Sequence, residues 1–186
     1  MGQVVLSMLV SLDGYVNDSA GRVGALFPDL AALQAITVMQ DAVRDTGAVV
    51  MGRRACAMGD PDAYAGHYKF QVPIFVLTHR PPPHLPAQNE RLSFTIVAGG
   101  IESATALAKT AAGTREVCVI GGASTAQQAL NAGLIDELEL GIASVLFGGG
   151  TPLFSGLYRI VKLEQTRTTQ TPGTTFLRCH VMSLLH

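Results

Sequence analysis

At 186 residues, the chain has the size of one domain that can bury a substantial core without disulfide staples. Apolar residues make up 48% and charged residues 15%, as in a globular protein, and a net charge of −1 argues against a broad nucleic-acid or acidic-membrane surface. Three scattered cysteines, Cys56, Cys118 and Cys179, without a C-x-x-C pair, speak against a disulfide framework or zinc knuckle and fit a reducing cytoplasm.

The apolar stretch Met1 to Val10 has no preceding Lys or Arg and runs into Asp13-Gly14, so it reads as a first strand and not as a signal peptide. No apolar run approaches the ~20 residues needed to span a bilayer. The strand is expected over Gln3 to Ser11, with a long flexible loop from Leu12 to Leu26. Pro28-Asp29 then opens a helix in which Asp29 is the N-cap and Leu30, Leu33, Ile36, Val38 and Val43 are the apolar positions. Gly47 is its expected stop. Ala48 to Met51 is a short buried strand that ends in Gly52-Arg53-Arg54.

Pro73 to Thr78 forms the next strand, followed by His79-Arg80 and the breaker Pro81-Pro82-Pro83. Phe94 to Ala98 is a fourth strand, Gly99-Gly100 a turn, and Ile101 to Ala111 an alanine-rich helix. Val117 to Ile120 is an apolar strand that runs into Gly121-Gly122-Ala123-Ser124-Thr125 and a helix through Ala132, with Gly133 as its stop. Ile135 to Ala143 is again a strand. Leu157 to Thr169 and Thr174 to Leu184 alternate as an antiparallel ribbon does, with Pro172-Gly173 as its turn.

Strands alternating with helices and closing in a hairpin indicate an α/β fold over residues 1–186, with a mostly parallel central sheet, flanking helices and a C-terminal antiparallel hairpin. Ligands of such sheets bind outside the carboxyl ends of the strands. Gly52-Arg53-Arg54, Thr78-His79-Arg80 and Gly121-Gly122 each follow an apolar strand, and parallel strands would bring them to one edge.

Each motif has a plain reading beside a functional one. Gly121 to Thr125 is either a phosphate cradle at a helix N-terminus or a tight turn capped by Ser124 or Thr125; it is neither a Walker pattern nor G-x-G-x-x-G. Arg53 and Arg54 are either a solvated face or a phosphate fork, since guanidinium donates paired hydrogen bonds and keeps its charge. Thr78, His79 and Arg80 are either a polar strand end or further donors. Together the three would surround an extended polyanion, and a dinucleotide with an extra ribose phosphate meets that demand. Asp13 either orients a substrate or nicotinamide, as a catalytic residue, or simply feeds an Asx-turn at Gly14. His67, His84, His180 and His186 have no metal spacing, and Asp60-Pro61-Asp62 reads as a turn.

The blocks Leu12-Asp13-Gly14, Met51 to Arg54, Val72 to His79, Ile120 to Ala123, Gly133 to Leu138 and Leu146 to Phe154 occur in that order. In this the chain resembles the reductase domain of bifunctional riboflavin-biosynthesis deaminase-reductases, and especially its stand-alone relatives in the dihydrofolate reductase superfamily. The resemblance implies a dihydrofolate-reductase-like fold, NADPH as hydride donor and a homodimer. It sets Arg53 and Arg54 at a phosphate-facing helix and Thr78, His79 and Arg80 near the ribose 2′-phosphate. Gly52 and Gly121 to Thr125 fall in the cofactor turns, and Asp13 and Gly14 in the loop over the active site. Ala55-Cys56 departs from the family, which commonly has Thr and an aromatic residue there.

The leading expectation is an NADPH-dependent reductase of a small, pterin- or pyrimidine-like molecule, with no nucleic acid, membrane or metal involved. Two alternatives stay open. A riboflavin-pathway ribosylaminopyrimidine reductase would want further basic residues in the cleft, for which Lys69 and Arg22 are the free candidates. A non-catalytic nicotinamide-nucleotide-binding protein would explain why no proton donor stands out. A partner subunit is expected at Ser144 to Phe154 and the terminal ribbon.

Overall fold

The computed structural model describes residues 2–82 and 84–184; Met1, Pro83 of the proline breaker, Leu185 and His186 lie outside the described residues. The strands are β1 (Val4–Ser11), β2 (Thr46–Gly52), β3 (Ile74–Leu77), β4 (Phe94–Val97), β5 (Glu116–Val119), β6 (Glu137–Ala143), β7 (Val161–Thr171) and β8 (Thr174–Leu184). They form one sheet in the order β4-β3-β2-β5-β1-β6-β8-β7. Neighbours from β4 to β6 pair in parallel, and β8 runs antiparallel to both β6 and β7. This is the expected dihydrofolate-reductase-like α/β sheet with its C-terminal hairpin.

The helices are α1 (Leu30–Ala35), α2 (Thr37–Asp45), α3 (Arg53–Cys56), α4 (Tyr64–His67), α5 (Gly100–Ala112) and α6 (Ala123–Asn131). Helices α5 and α6 bury Ala104, Ala108, Ala126 and Ala129 against Val4, Leu6, Val50 and Val119 on one face of the sheet. Small side chains let these helices lie close. The opposite face has two separate covers. Tyr64, Phe70 and Leu92 pack over Val49, Met51, Ile74 and Val76, while Val38 and Met39 of α2 pack on Leu9 and Phe176. The gap between these covers becomes the site.

Several boundaries differ from the sequence expectation. The first helix is two helices, because Ile36 is extended at φ −73° and ψ 145° and serves both as C-cap of α1 and N-cap of α2. The β-branched run Ile36-Thr37-Val38 weakens helix there, and Ile36 joins Val38 and Met39 over Phe176 instead. Asp29 is the N-cap as expected, its side chain accepting from Ala32 N at 2.9 Å. Gly47 is a strand residue and not the helix stop: a Cβ there would meet the Ala112 carbonyl oxygen at 2.8 Å, so its role is to admit α5. The Leu12–Leu26 segment is held at both ends rather than hanging free. Tyr15 bridges to Pro152, Asp18 closes a turn on Arg22, and Gly24–Leu26 is a 3-10 turn.

Candidate functional site

Parallel pairing brings the ends of β2, β3 and β5 level, with Gly52 beside Leu77 and Val50 beside Val119. There the two glycine turns touch, as Gly52 N donates to Gly121 O at 2.6 Å. A Cβ on Gly52 would come within 2.7 Å of Thr125 Oγ1. Gly121 sits at φ +130°, which L side chains rarely adopt, and the Gly121–Gly122 peptide is cis. Gly122 then starts α6 with no side-chain cap, and Ala126 N makes the bond back to Gly122 O. The N–H groups of Ala123, Ser124 and Thr125 are therefore in the turn that helix geometry leaves without carbonyl partners.

These atoms line a cavity of about 850 Å³ along the carboxyl edge of the sheet. Of the expected cofactor residues, Gly52, Arg53, Arg54, Thr78, His79 and Gly121 through Thr125 all line it. Arg80 does not; its backbone N–H instead closes a turn on Thr78 Oγ1 at 3.0 Å. The cations on the wall are Arg53, Arg54, Lys69 and, when protonated, His67 and His79. Among the described residues no aspartate or glutamate lines the cavity. Neither Arg53 nor Arg54 has a carboxylate within ion-pairing distance among those residues. The wall is thus an electropositive surface whose charges are free to meet an anion.

Asp13 lies outside the cavity wall and is exposed. Its Oδ1 accepts from Ser11 Oγ at 2.6 Å and from Phe147 N at 3.1 Å, and its Oδ2 accepts from Gly148 N at 2.7 Å. The Ser11 hydroxyl, and then the two amides, hold its carboxyl below the usual aspartate range. Alongside, Val16 N donates to Thr151 O, and Asn17 Oδ1 accepts from Thr151 N, each at 2.9 Å. Asp13 therefore fastens the loop after β1 to the 147–153 turn, and that pair of segments presents Val16, Asn17 and Thr151 to the cavity.

The other wall was less legible from sequence. Gly100 at the start of α5 lines the cavity, as do His67, Tyr68 and Lys69, which precede β3. Lys69, one of three lysines in the chain, was expected as one of two free basic candidates for the cleft. Its Nζ stands 4.8 Å from the Phe70 ring centroid. Burial depresses the basicity of its amine and pushes the Tyr68 hydroxyl well up, so Tyr68 stays neutral. Arg22, the other basic candidate, is paired with Asp18 at 2.8 Å and stays outside. No group of ligating side chains able to hold a metal occurs among the described residues.

Solved structures share this architecture. A protein assigned to riboflavin biosynthesis in Shewanella sp. PV-4 aligns over 98% of this chain and 100% of its own, at TM-score 0.78 and 24% identity. The deaminase/reductase of Thermotoga maritima aligns over 97% of this chain and 57% of its own, at TM-score 0.67 and 16% identity. The riboflavin biosynthesis reductase of Saccharomyces cerevisiae aligns over 98% and 89%, at TM-score 0.59 and 15% identity. At these identities the likeness is one of fold. No protein of curated function matches the sequence. The match that reaches beyond fold is to the RibD C-terminal domain, whose family model covers residues 3–177, and the chain belongs to that family.

Proposed function

We propose that the protein is an NADPH-dependent reductase of a small, heterocyclic or carbonyl-bearing molecule. The observation that carries this reading is a carboxylate-free cavity joining two side-chain-free glycine turns to two unpaired arginines. A dinucleotide needs close backbone approach at its pyrophosphate and fixed positive charge at its outer phosphate. The turn Gly121 to Thr125 would hold the pyrophosphate, with Gly52 leaving it room. Arg53, Arg54, Thr78 and His79 would hold the ribose 2′-phosphate. When bound, the nicotinamide supplies a hydride; the chain's own residues align the acceptor beside it and exclude water.

Asp13, expected as catalytic, is assigned here the role of loop clasp, because its carboxylate is already engaged by three donors. We further propose a homodimer, and the edge ribbon β7–β8, with exposed Ile160, Leu163 and Met182 on or beside it, is the surface we assign to it. Sedimentation at the mass of a single chain would remove that assignment. A cytoplasmic location fits three unpaired, buried cysteines; among the described residues no helix is long and apolar enough to cross a membrane.

Titration with NADPH tests the main reading. The expected result is enhanced nicotinamide fluorescence and a raised melting temperature that grows with concentration, as linkage requires of a ligand bound only by the native state. Oxidation of NADPH in the presence of pterins, pyrimidines and quinones would then separate an enzyme from a cofactor-binding protein. No change in fluorescence or melting temperature with either NADPH or NADH would overturn the proposal.

A further inference from the structure

The cavity has two chemically different ends. Toward α3 and the glycine turns it carries the guanidiniums and free amides already described. Toward α1 it is walled by Leu26, Phe27, Leu30, Leu33 and Met39, with Leu9 of β1 also on its wall. Helix α1 buries none of its residues; Leu30 is 51% exposed, and Met58, also on the cavity wall, is 61% exposed. Apolar side chains left facing an open cavity are favourably covered by an apolar ligand. The polar groups at this end, Ser7, Asn17 and Gln34, are all neutral.

On the wall of the same cavity stands Lys69, with His67 two positions before it. Lys69 makes no hydrogen bond or ion pair with any described residue; its Nζ lies over the face of Phe70, and the buried Cys118 thiol is the titratable group that acts on it. A half-buried ammonium over an aromatic ring, with no carboxylate on the wall among the described residues, has no counter-charge from those residues.

We propose that this end of the cavity takes a compact, mainly apolar ring bearing a single anionic oxygen, and that Lys69 holds that oxygen. The inference rests on the reductase reading only in calling this ligand the substrate. A cationic ring is disfavoured because, among the described residues, no carboxylate lines the cavity to meet it. A substrate with a phosphate arm is disfavoured because, among the described residues, the cavity's arginines are Arg53 and Arg54, both assigned to the cofactor, which leaves Lys69 as its one fixed cation. The burial that depresses the basicity of Lys69 would be offset by the arriving anion.

Benzoate and its neutral counterpart benzamide are suitable probes, each titrated into the cofactor-free protein by calorimetry or ligand-observed NMR. Benzoate is expected to bind the wild type roughly tenfold or more tightly than benzamide, the scale of a charge-assisted hydrogen bond. Lys69→Met and Lys69→Gln should both erase the preference, and Lys69→Arg should keep part of it, with circular dichroism confirming that each variant is folded. No preference in the wild type, or one that survives in both the Met and Gln variants, overturns the proposal. Failure of the reductase reading would show separately, in the NADPH titration of the wild type.

Discussion

The two ends of the parallel strands treat charge in opposite ways. Toward the amino ends of β5 and β6, Arg178 of β8 is gripped by Glu116 at 2.9 Å, Glu137 at 3.3 Å and Glu139 at 3.2 Å. Arg167 reaches Glu139 and His180 reaches Glu137, both at 3.2 Å. Every carboxylate in this cluster has a cationic partner inside the protein. At the carboxyl ends Arg53, Arg54 and Lys69 share a cavity wall that, among the described residues, holds no acidic side chain. Both regions bring basic side chains near the sheet, but only the second leaves them without internal partners. A saturated ion cluster does structural work, whereas unpaired cations around a cavity are poised for a ligand.

That contrast can be broken most forcefully at Arg178. Arg178→Ala leaves Glu116, Glu137 and Glu139 mutually repelling, and Glu139 is already raised by burial against the opposing pull of Arg178 and Arg167. Loss of one partner from a part-buried cluster should cost on the order of 3 kcal/mol in denaturant unfolding. A carboxyl with a raised folded pKa favours the native state as it protonates. Without Arg178 that pKa rises further, so the variant's deficit should shrink as pH falls from neutral toward about 5. A deficit that grows on acidification would refute the assignment.

At the opposite edge, Arg53→Ala should leave stability nearly unchanged and weaken NADPH by about tenfold, with a smaller effect on NADH. Arg80→Ala sharpens the comparison, since Arg80 is off the cavity wall and should alter neither affinity much. Equal loss of both coenzymes in Arg53→Ala would detach that residue from the extra phosphate. Fluorescence titration distinguishes these outcomes.

The smallest expected effect lies at the rim. Asp13→Asn keeps the shape of the side chain but removes the charge that accepts from Ser11, Phe147 and Gly148. A carboxyl whose folded pKa is lowered contributes stability above its unfolded pKa and loses it as pH falls through the folded value. The melting temperature of Asp13→Asn should therefore sit slightly below wild type at neutral pH and converge with it in acid. Because Asp13 is not on the wall, turnover should fall modestly through loop positioning; complete loss of turnover with intact NADPH binding would restore a direct catalytic role.

Much of this arrangement was legible in the chain itself. Apolar runs such as Val117 to Ile120, broken by Gly121-Gly122, announce a strand, a turn and a helix because each signal is local. The alternating pattern on both sides of Pro172-Gly173 likewise marks a hairpin, and the parallel order places the post-strand motifs on one edge. What tertiary structure alone decided are matters of long-range direction. Asp13 turned toward Phe147 and Gly148, 134 and 135 positions away, and not into the cavity. Gly47 serves a helix that begins more than fifty residues later, and of the two free basic candidates Lys69 lines the cavity while Arg22 pairs with Asp18 outside it. Local propensity follows from neighbours a few residues apart, whereas the partner of a side chain depends on how the whole sheet twists and packs. For that reason the residue types at the site could be read in order along the chain, but which of them remain unpaired could not.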